Sequence, residues 1–216
     1  MTDTKDAKVY LVCGRRGSGK TTRARALCHR ARRVVCFDPM REYGHLGFRE
    51  VHTLSDLRAA MRWAWRGGFR IAYVPIGGNE IEALHHLSRF LWRVQRPYEV
   101  GADPQKLTLI VEEMSLSFPA RPLSPTVGGF VQAVNQGRHV GLDIIGVTQR
   151  PAEVSGTFRG NAAEIYIFPL AAAIDRQSIL QILGREYGEA LRQLQPHSYL
   201  KFADGEVTKG RNRLGK

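Results

Sequence analysis

The sequence predicts an α/β fold in which a mainly parallel central sheet is flanked by helices. Three observations carry this reading. Apolar runs of strand length alternate with amphipathic stretches of helix length along the 216 residues. Several runs are nearly continuous in apolar residues, as strands buried on both faces must be. The first run leads directly into a glycine-rich turn that opens a helix.

The expected strands are Val9–Cys13, Val34–Asp38, Arg70–Val74, Leu107–Val111, Ile144–Thr148, Ala163–Phe168 and Ser198–Phe202. Between them, Leu54, Leu57, Met61, Ala64 and Trp65 recur at helical spacing, with Ser55 as the expected cap and Gly67-Gly68 as the stop. Ile81, Leu84, Leu87, Leu91 and Val94 mark a longer helix that Pro97 is expected to end. Further helices are expected over Gly128–His139 and around Ile179–Leu183 and Tyr187–Leu194. Tyr98–Lys106 and the proline-bearing Ser115–Thr126 read as loops. No internal repeat is present, so residues 1–216 form one domain, with 1–8 and 209–216 expected as flexible tails.

Composition narrows the function. No stretch reaches the roughly 18–20 consecutive apolar residues of a membrane span, and Met1–Lys8 lacks the apolar core of a signal peptide, so the expected location is the cytoplasm. Cys13, Cys28 and Cys36 are odd in number and lack CxxC spacing, which argues for reduced, buried thiols. His29, His85 and His86 match no metal-ligand spacing. The net charge is +12, and 25 of the 32 basic residues are Arg, whose planar fork suits phosphate. A polyanionic partner follows as the expectation.

Gly14-Arg15-Arg16-Gly17-Ser18-Gly19-Lys20-Thr21 fits GxxxxGK[ST] between a strand and a helix, and Thr22 continues it. Gly14, Arg15, Arg16, Gly17, Ser18, Gly19, Lys20, Thr21 and Thr22 are therefore the candidate nucleotide-binding set. Backbone N–H groups surround the β-phosphate, Lys20 reaches the β and γ oxygens, and Thr21 offers its hydroxyl to Mg²⁺. Leu107–Val111 ends in Glu112 and Glu113, which places two carboxylates at the C-terminal edge of the sheet. One can serve Mg²⁺ and the other can polarise an attacking water. A kinase acting on a small molecule needs no water activator.

The loop, the Glu112-Glu113 strand end, and Gly146-Val147-Thr148-Gln149-Arg150-Pro151 together resemble the FtsK/HerA superfamily of DNA-pumping ATPases. Asp38-Pro39-Met40-Arg41-Glu42-Tyr43 is similar to a DPxxEY stretch in that superfamily, and Gly137–Leu142 is similar to its basic helix end. The compact length most resembles the genome-packaging ATPases of membrane-containing icosahedral viruses. Glu112 stands where many relatives have Asp.

The resemblance implies a RecA-like (ASCE) P-loop NTPase domain that hydrolyses ATP with Mg²⁺. It also implies a homo-oligomeric ring, hexamer or pentamer, that pumps double-stranded DNA into a preformed capsid, with capsid vertex proteins as further partners. The expected catalytic residues are Lys20, Glu112, Glu113 and Gln149, with Thr21 and Glu112 serving Mg²⁺. Gln149 would sense the γ-phosphate or hold the attacking water. Arg138 is the first choice, and Arg150 the second, for a cation offered to a neighbouring subunit's nucleotide, each against the alternative of a solvated surface Arg.

Asp38 can orient the loop or serve the metal indirectly, or simply form an Asp-Pro turn. Phe118 and Arg121 are the candidate DNA contacts, and the arginines on and after the first helix read as a solvated face. Trp63, Trp65 and Trp92 are assigned to core or subunit interface. The rival functions are a P-loop small-molecule kinase and a filamentous-phage-type assembly protein or nucleotide switch.

Overall fold

A computed structural model describes residues 7–212. The elements in chain order are β1 (Val9–Cys13), α1 (Lys20–Leu27), β2 (Arg33–Phe37), β3 (Arg49–Val51), α2 (Leu54–Ala64), β4 (Phe69–Tyr73), α3 (Glu80–Val94), α4 (Arg96–Glu99), β5 (Leu107–Val111) and α5 (Met114–Ser117). There follow α6 (Gly129–Gln136), β6 (Leu142–Thr148), α7 (Gly156–Asn161), β7 (Glu164–Ile167), α8 (Ala173–Leu183), α9 (Gly188–Arg192), β8 (Ser198–Ala203) and β9 (Glu206–Arg211). They form one sheet in the order β3-β4-β2-β5-β6-β1-β7-β8-β9. Strands β1 to β7 pair in parallel, and β8 and β9 add an antiparallel edge. The expected α/β fold is what forms.

Both faces of the central strands are buried, with alternate residues serving different cores. Leu11, Val35, Phe37, Leu109 and Val111 pack against Leu57 and Met61 of α2, Leu84 and Leu87 of α3, and Phe130 of α6. Val12, Val34, Cys36, Ile110 and Val147 face Ala24 of α1, Cys28, and Tyr43 and Phe48 of the segment before β3. The three thiols are all buried and free, as expected. Burial raises the Cys13 thiol to about 12.

Four expectations change. Thr53 rather than Ser55 caps α2, its Oγ1 accepting from the Asp56 N–H at 3.1 Å. Helix α3 closes before Pro97, which instead sits in the first turn of α4, where its missing N–H costs nothing. Strand β3 is too short and polar to show periodicity. The C-terminal segment is ordered through Asn212: Lys209–Arg211 belong to β9, which returns on β8 through the Asp204-Gly205 turn, with both residues at positive φ. Lys8 is likewise tied, its N–H donating to Asp143 Oδ1 at 2.8 Å. Residues 1–6 and 213–216 of the expected tails lie outside the described residues.

Candidate active site

The register places the C-terminal ends of β1, β6 and β5 along one edge. Cys13 pairs with Thr148, and Val111 with Gly146, so the glycine-rich turn, Gln149 and the two carboxylates all leave the sheet side by side. Strand β6 lies between the loop strand and the acidic strand. A cavity of about 290 Å³ opens there, lined by Arg16, Gly17, Gly19, Lys20, Thr21, Thr22, Met40, Glu42, Glu112, Glu113 and Gln149.

The loop is shaped to receive an anion. Gly14, Gly17 and Gly19 have φ of +155°, +72° and +104°, and a Cβ at Gly14 would stand 2.5 Å from Phe168 Cβ. Gly19 begins α1 with no side-chain cap and no acid in the first turn, so the helix N-terminus is open to a phosphate. The Gly14 N–H donates to Thr148 O at 3.2 Å, and the Arg15 N–H to Pro169 O at 2.7 Å, which ties the loop to β6 and to the segment after β7. Lys20 Nζ crosses the loop to Arg15 O at 3.2 Å. Burial holds the Lys20 ammonium below its ordinary pKa, while Glu112, Glu113 and Glu42 pull it back up.

Glu112 is buried and accepts a hydrogen bond from the Tyr43 hydroxyl at 2.8 Å. Desolvation pushes its carboxyl up to about 7; Tyr43 and Lys20 oppose the shift, and Glu42 and Asp38 add to it. Asp38 resolves in favour of the turn. Its two carboxylate oxygens accept from the Glu42 and Tyr43 N–H groups at 2.9 and 2.8 Å, which fixes the tyrosine beneath Glu112.

Glu113 has φ +42°, an uncommon left-handed conformation for a residue with a side chain, and starts α5 at once. Its Oε1 accepts from Ser115 Oγ at 2.8 Å, Thr148 Oγ1 at 3.2 Å and the Gln149 N–H at 3.3 Å. Gly146 makes this possible, because Met114 and Phe158 occupy the space a Cβ would need and α5 therefore lies close on β6. The Gln149 carboxamide is exposed and lines the cavity.

Thr21, Glu42, Glu112 and Glu113 offer only hard oxygen donors. Among the described residues no group of three His, Cys, Asp or Glu side chains is placed to hold a metal by itself. The donors fit Mg²⁺, which keeps waters and takes one or two carboxylates together with substrate phosphates.

Other expected residues lie elsewhere. Phe118 is buried, edge-on to Phe130 at 4.9 Å, so it cannot contact DNA: its ring completes the α3–α6 core. Arg121 is exposed on the loop after it. Arg150 is half-exposed and pairs within its own chain with Asp175 at 3.1 Å and Glu153 at 2.7 Å. Arg138 is exposed at the start of β6, roughly 20 Å of strand from Gln149, and cannot reach the cavity of its own chain. Trp63 is 86% exposed rather than core, while Trp65 is half-buried with the Arg33 guanidinium 3.8 Å over its ring.

Tyr43, Glu42, Ser115 and Thr148 are site residues the sequence argument did not assign. Tyr43 and Glu42 lie within the Asp38–Tyr43 stretch already singled out, and Thr148 precedes Gln149; only their side-chain directions were missing.

No protein-family model matches the chain, and no curated protein sequence matches it. Solved structures do. The genome packaging NTPase B204 from Sulfolobus turreted icosahedral virus 2, in complex with AMPPCP, aligns with TM-score 0.73 at 17% identity, over 97% of this chain and 99% of that one. B204, the DNA-packaging ATPase from Sulfolobus Turreted Icosahedral Virus, aligns with TM-score 0.72 at 18% identity over 95% and 98%. VirB4 of Thermoanaerobacter pseudethanolicus aligns with TM-score 0.69 at 10% identity over 100% and 92%.

The sheet order and the loop thus define a P-loop NTPase fold of the RecA-like type. The alignments to the B204 structures and to VirB4 each span nearly the whole of both chains. No helix among the described residues is long and apolar enough to cross a membrane.

Proposed function

We propose that this chain is an ATPase that drives double-stranded DNA, and that its biological work is packaging a viral or proviral genome into a preformed capsid. The observation that carries the hydrolytic reading is Glu113, held by three donors at a strand end that faces the same cavity as Lys20 and the open α1 N-terminus. The loop amides and Lys20 bind the β- and γ-phosphates. Thr21 and Glu112 would hold Mg²⁺, which supplies charge neutralisation at those oxygens.

Glu113 takes a proton from a water as the water oxygen bonds to the γ-phosphorus. The bond from that phosphorus to the bridging oxygen breaks, leaving ADP and phosphate. Gln149, at the cavity mouth, orients the water or senses the γ-phosphate through its carboxamide. Arg138 is the cation offered to a neighbour's nucleotide. Exposed and far from its own cavity, it is free to serve a neighbouring copy in a ring of five or six, the alternative being a solvated surface Arg. The segment from Glu113 through α5 to the exposed Arg121 links hydrolysis to sequence-independent phosphate contact, with Phe118 as its buried anchor. The 17–18% identity of the B204 structures and the +12 charge support this reading, which places the motor in the host cytoplasm at a capsid vertex.

The test is steady-state ATP hydrolysis with and without double-stranded DNA at low and moderate salt, with Glu113→Gln as control. Stimulation by DNA that fades with salt and vanishes in the variant is the expected result. ATP binding without DNA stimulation, together with phosphate transfer to a small acceptor, would replace the motor by a kinase.

A further inference from the structure

An anion site at a helix start carries a constraint. A side-chain cap on the first turn of α1 would consume the N–H groups that a phosphate needs, and none is present. At the helix start itself, the loop can then be held only by its carbonyls, whereas its first residues are tied through the Gly14 and Arg15 N–H groups. In a planar trans peptide the C=O of one residue lies antiparallel to the N–H of the next, so a donor that fixes a carbonyl also aims the following amide.

Two loop carbonyls are fixed from the far end of the chain. Ser18 O accepts from the His197 N–H at 2.9 Å, which sets the Gly19 amide. Gly19 O accepts from Asn212 Nδ2 at 2.8 Å, beside the helical bond from the Arg23 N–H at 3.1 Å, and this sets the Lys20 amide. Asn212 is buried, and its own N–H donates to His197 O at 2.8 Å. Its Oδ1 accepts from Arg23 Nε at 3.1 Å. Arg23 donates in turn to the Tyr199 hydroxyl at 2.7 Å, and its guanidinium lies 4.4 Å from the Tyr199 ring centre and 5.1 Å from that of Tyr166. The contact is close: a Cβ at Gly19 would stand 2.7 Å from Asn212 Nδ2 and 2.9 Å from His197 Nδ1.

We propose that the β8–β9 hairpin is a clamp on the phosphate loop, in which Asn212 is the positioning residue that aims the Lys20 amide and Arg23 holds Asn212 in place. The proposal rests on the nucleotide-binding reading for its consequence but not for its geometry. Arg23 is then no part of a solvated helix face; it is the joint between the first helix and the last strand. Asn212 touches no reacting atom and acts through the loop backbone, so its loss should loosen the loop and weaken binding.

Asn212→Asp is the discriminating variant, because the carboxylate still accepts from Arg23 but offers no donor to the Gly19 carbonyl. Hydrogen exchange of the 14–22 segment in nucleotide-free full-length protein is read first. Titration with a fluorescent ATP analogue and Mg²⁺ follows, with Lys20→Ala as reference. Asn212→Asp is expected to speed exchange in that segment alone and to weaken the analogue roughly tenfold.

Faster exchange without nucleotide separates lost positioning from repulsion between the new carboxylate and phosphate. Should Asn212→Asp melt early, Arg23→Lys, which keeps the charge and loses the fork, is expected to loosen the same segment. Wild-type exchange in both variants would overturn the clamp. Wild-type protein that binds the analogue no better than Lys20→Ala would overturn the nucleotide reading, and the exchange data would still decide the clamp.

Discussion

Glu112 and Glu113 are consecutive and line one cavity, yet their immediate surroundings are opposite. Glu112 points into a buried pocket with one hydroxyl donor, Tyr43, and two further carboxylates nearby, Glu42 and Asp38. It needs a cation. Glu113 turns out through a left-handed residue into a setting rich in donors, where Ser115, Thr148 and the Gln149 amide meet one of its oxygens. It is held in one orientation and stays reachable by water. The proposed division of labour, Glu112 for the metal and Glu113 for the water, rests on this difference in environment, since the two side chains are chemically identical.

The sharpest way to break this comparison is Glu113→Gln. The amide keeps the size and cannot accept a proton, so kcat should fall by about 10²–10⁴ while ATP affinity is retained. Glu112→Gln in the same assay should instead raise the Mg²⁺ requirement. If the two variants exchange phenotypes, the assignment of roles is reversed.

The next test reads the pocket without nucleotide or metal. A carboxyl whose pKa is raised from 4.5 to about 7 on folding holds its proton more tightly in the folded state. Its ionisation therefore costs stability progressively as pH rises from 4.5 to about 7, and by a constant amount above that. In EDTA, Glu112→Gln should be more stable than wild type by roughly 3 kcal/mol at pH 8. The gap should close as pH falls towards 4.5, a trend that denaturant unfolding at several pH values would follow. A gap independent of pH would mean that the Glu112 side is not the low-dielectric pocket its burial implies.

How legible this was differs between the two ends of the chain. The loop, the acidic strand end and the Gln149 strand were readable because each joins an apolar strand to a residue pattern whose chemistry has few alternatives. Their convergence required only that parallel strands end at one edge. The second layer was not readable. That Tyr43 reaches Glu112 depends on how Asp38 folds the turn between them, and that Phe118 faces inward depends on where α6 packs.

The β9 strand carried a usable signal, the Asp204-Gly205 pair that favours a two-residue hairpin, but its polar residues resemble a tail. An edge strand has no second neighbour and so no hydrophobic pattern to enforce. Asn212 was invisible for a simpler reason. Its partners, Gly19 and Arg23, lie 193 and 189 residues away.

The smallest predicted effect refines the comparison rather than breaking it. Thr148 is fully buried, and its hydroxyl both donates to Glu113 Oε1 at 3.2 Å and accepts from the Arg150 N–H at 3.0 Å. Thr148→Val keeps the shape and removes both bonds, leaving Glu113 with Ser115 and the Gln149 amide. If Glu113 acts by being aimed, kcat should fall about fivefold to tenfold, the equivalent of one hydrogen bond, with KM for ATP unchanged. Thr148→Ser, which restores the hydroxyl and loses only a methyl, should recover most of that loss. Equal loss in both variants would assign the effect to packing at the end of β6. Full activity in the valine variant would show that two donors already fix the carboxylate, and that Thr148 is there chiefly to start the turn towards Arg150.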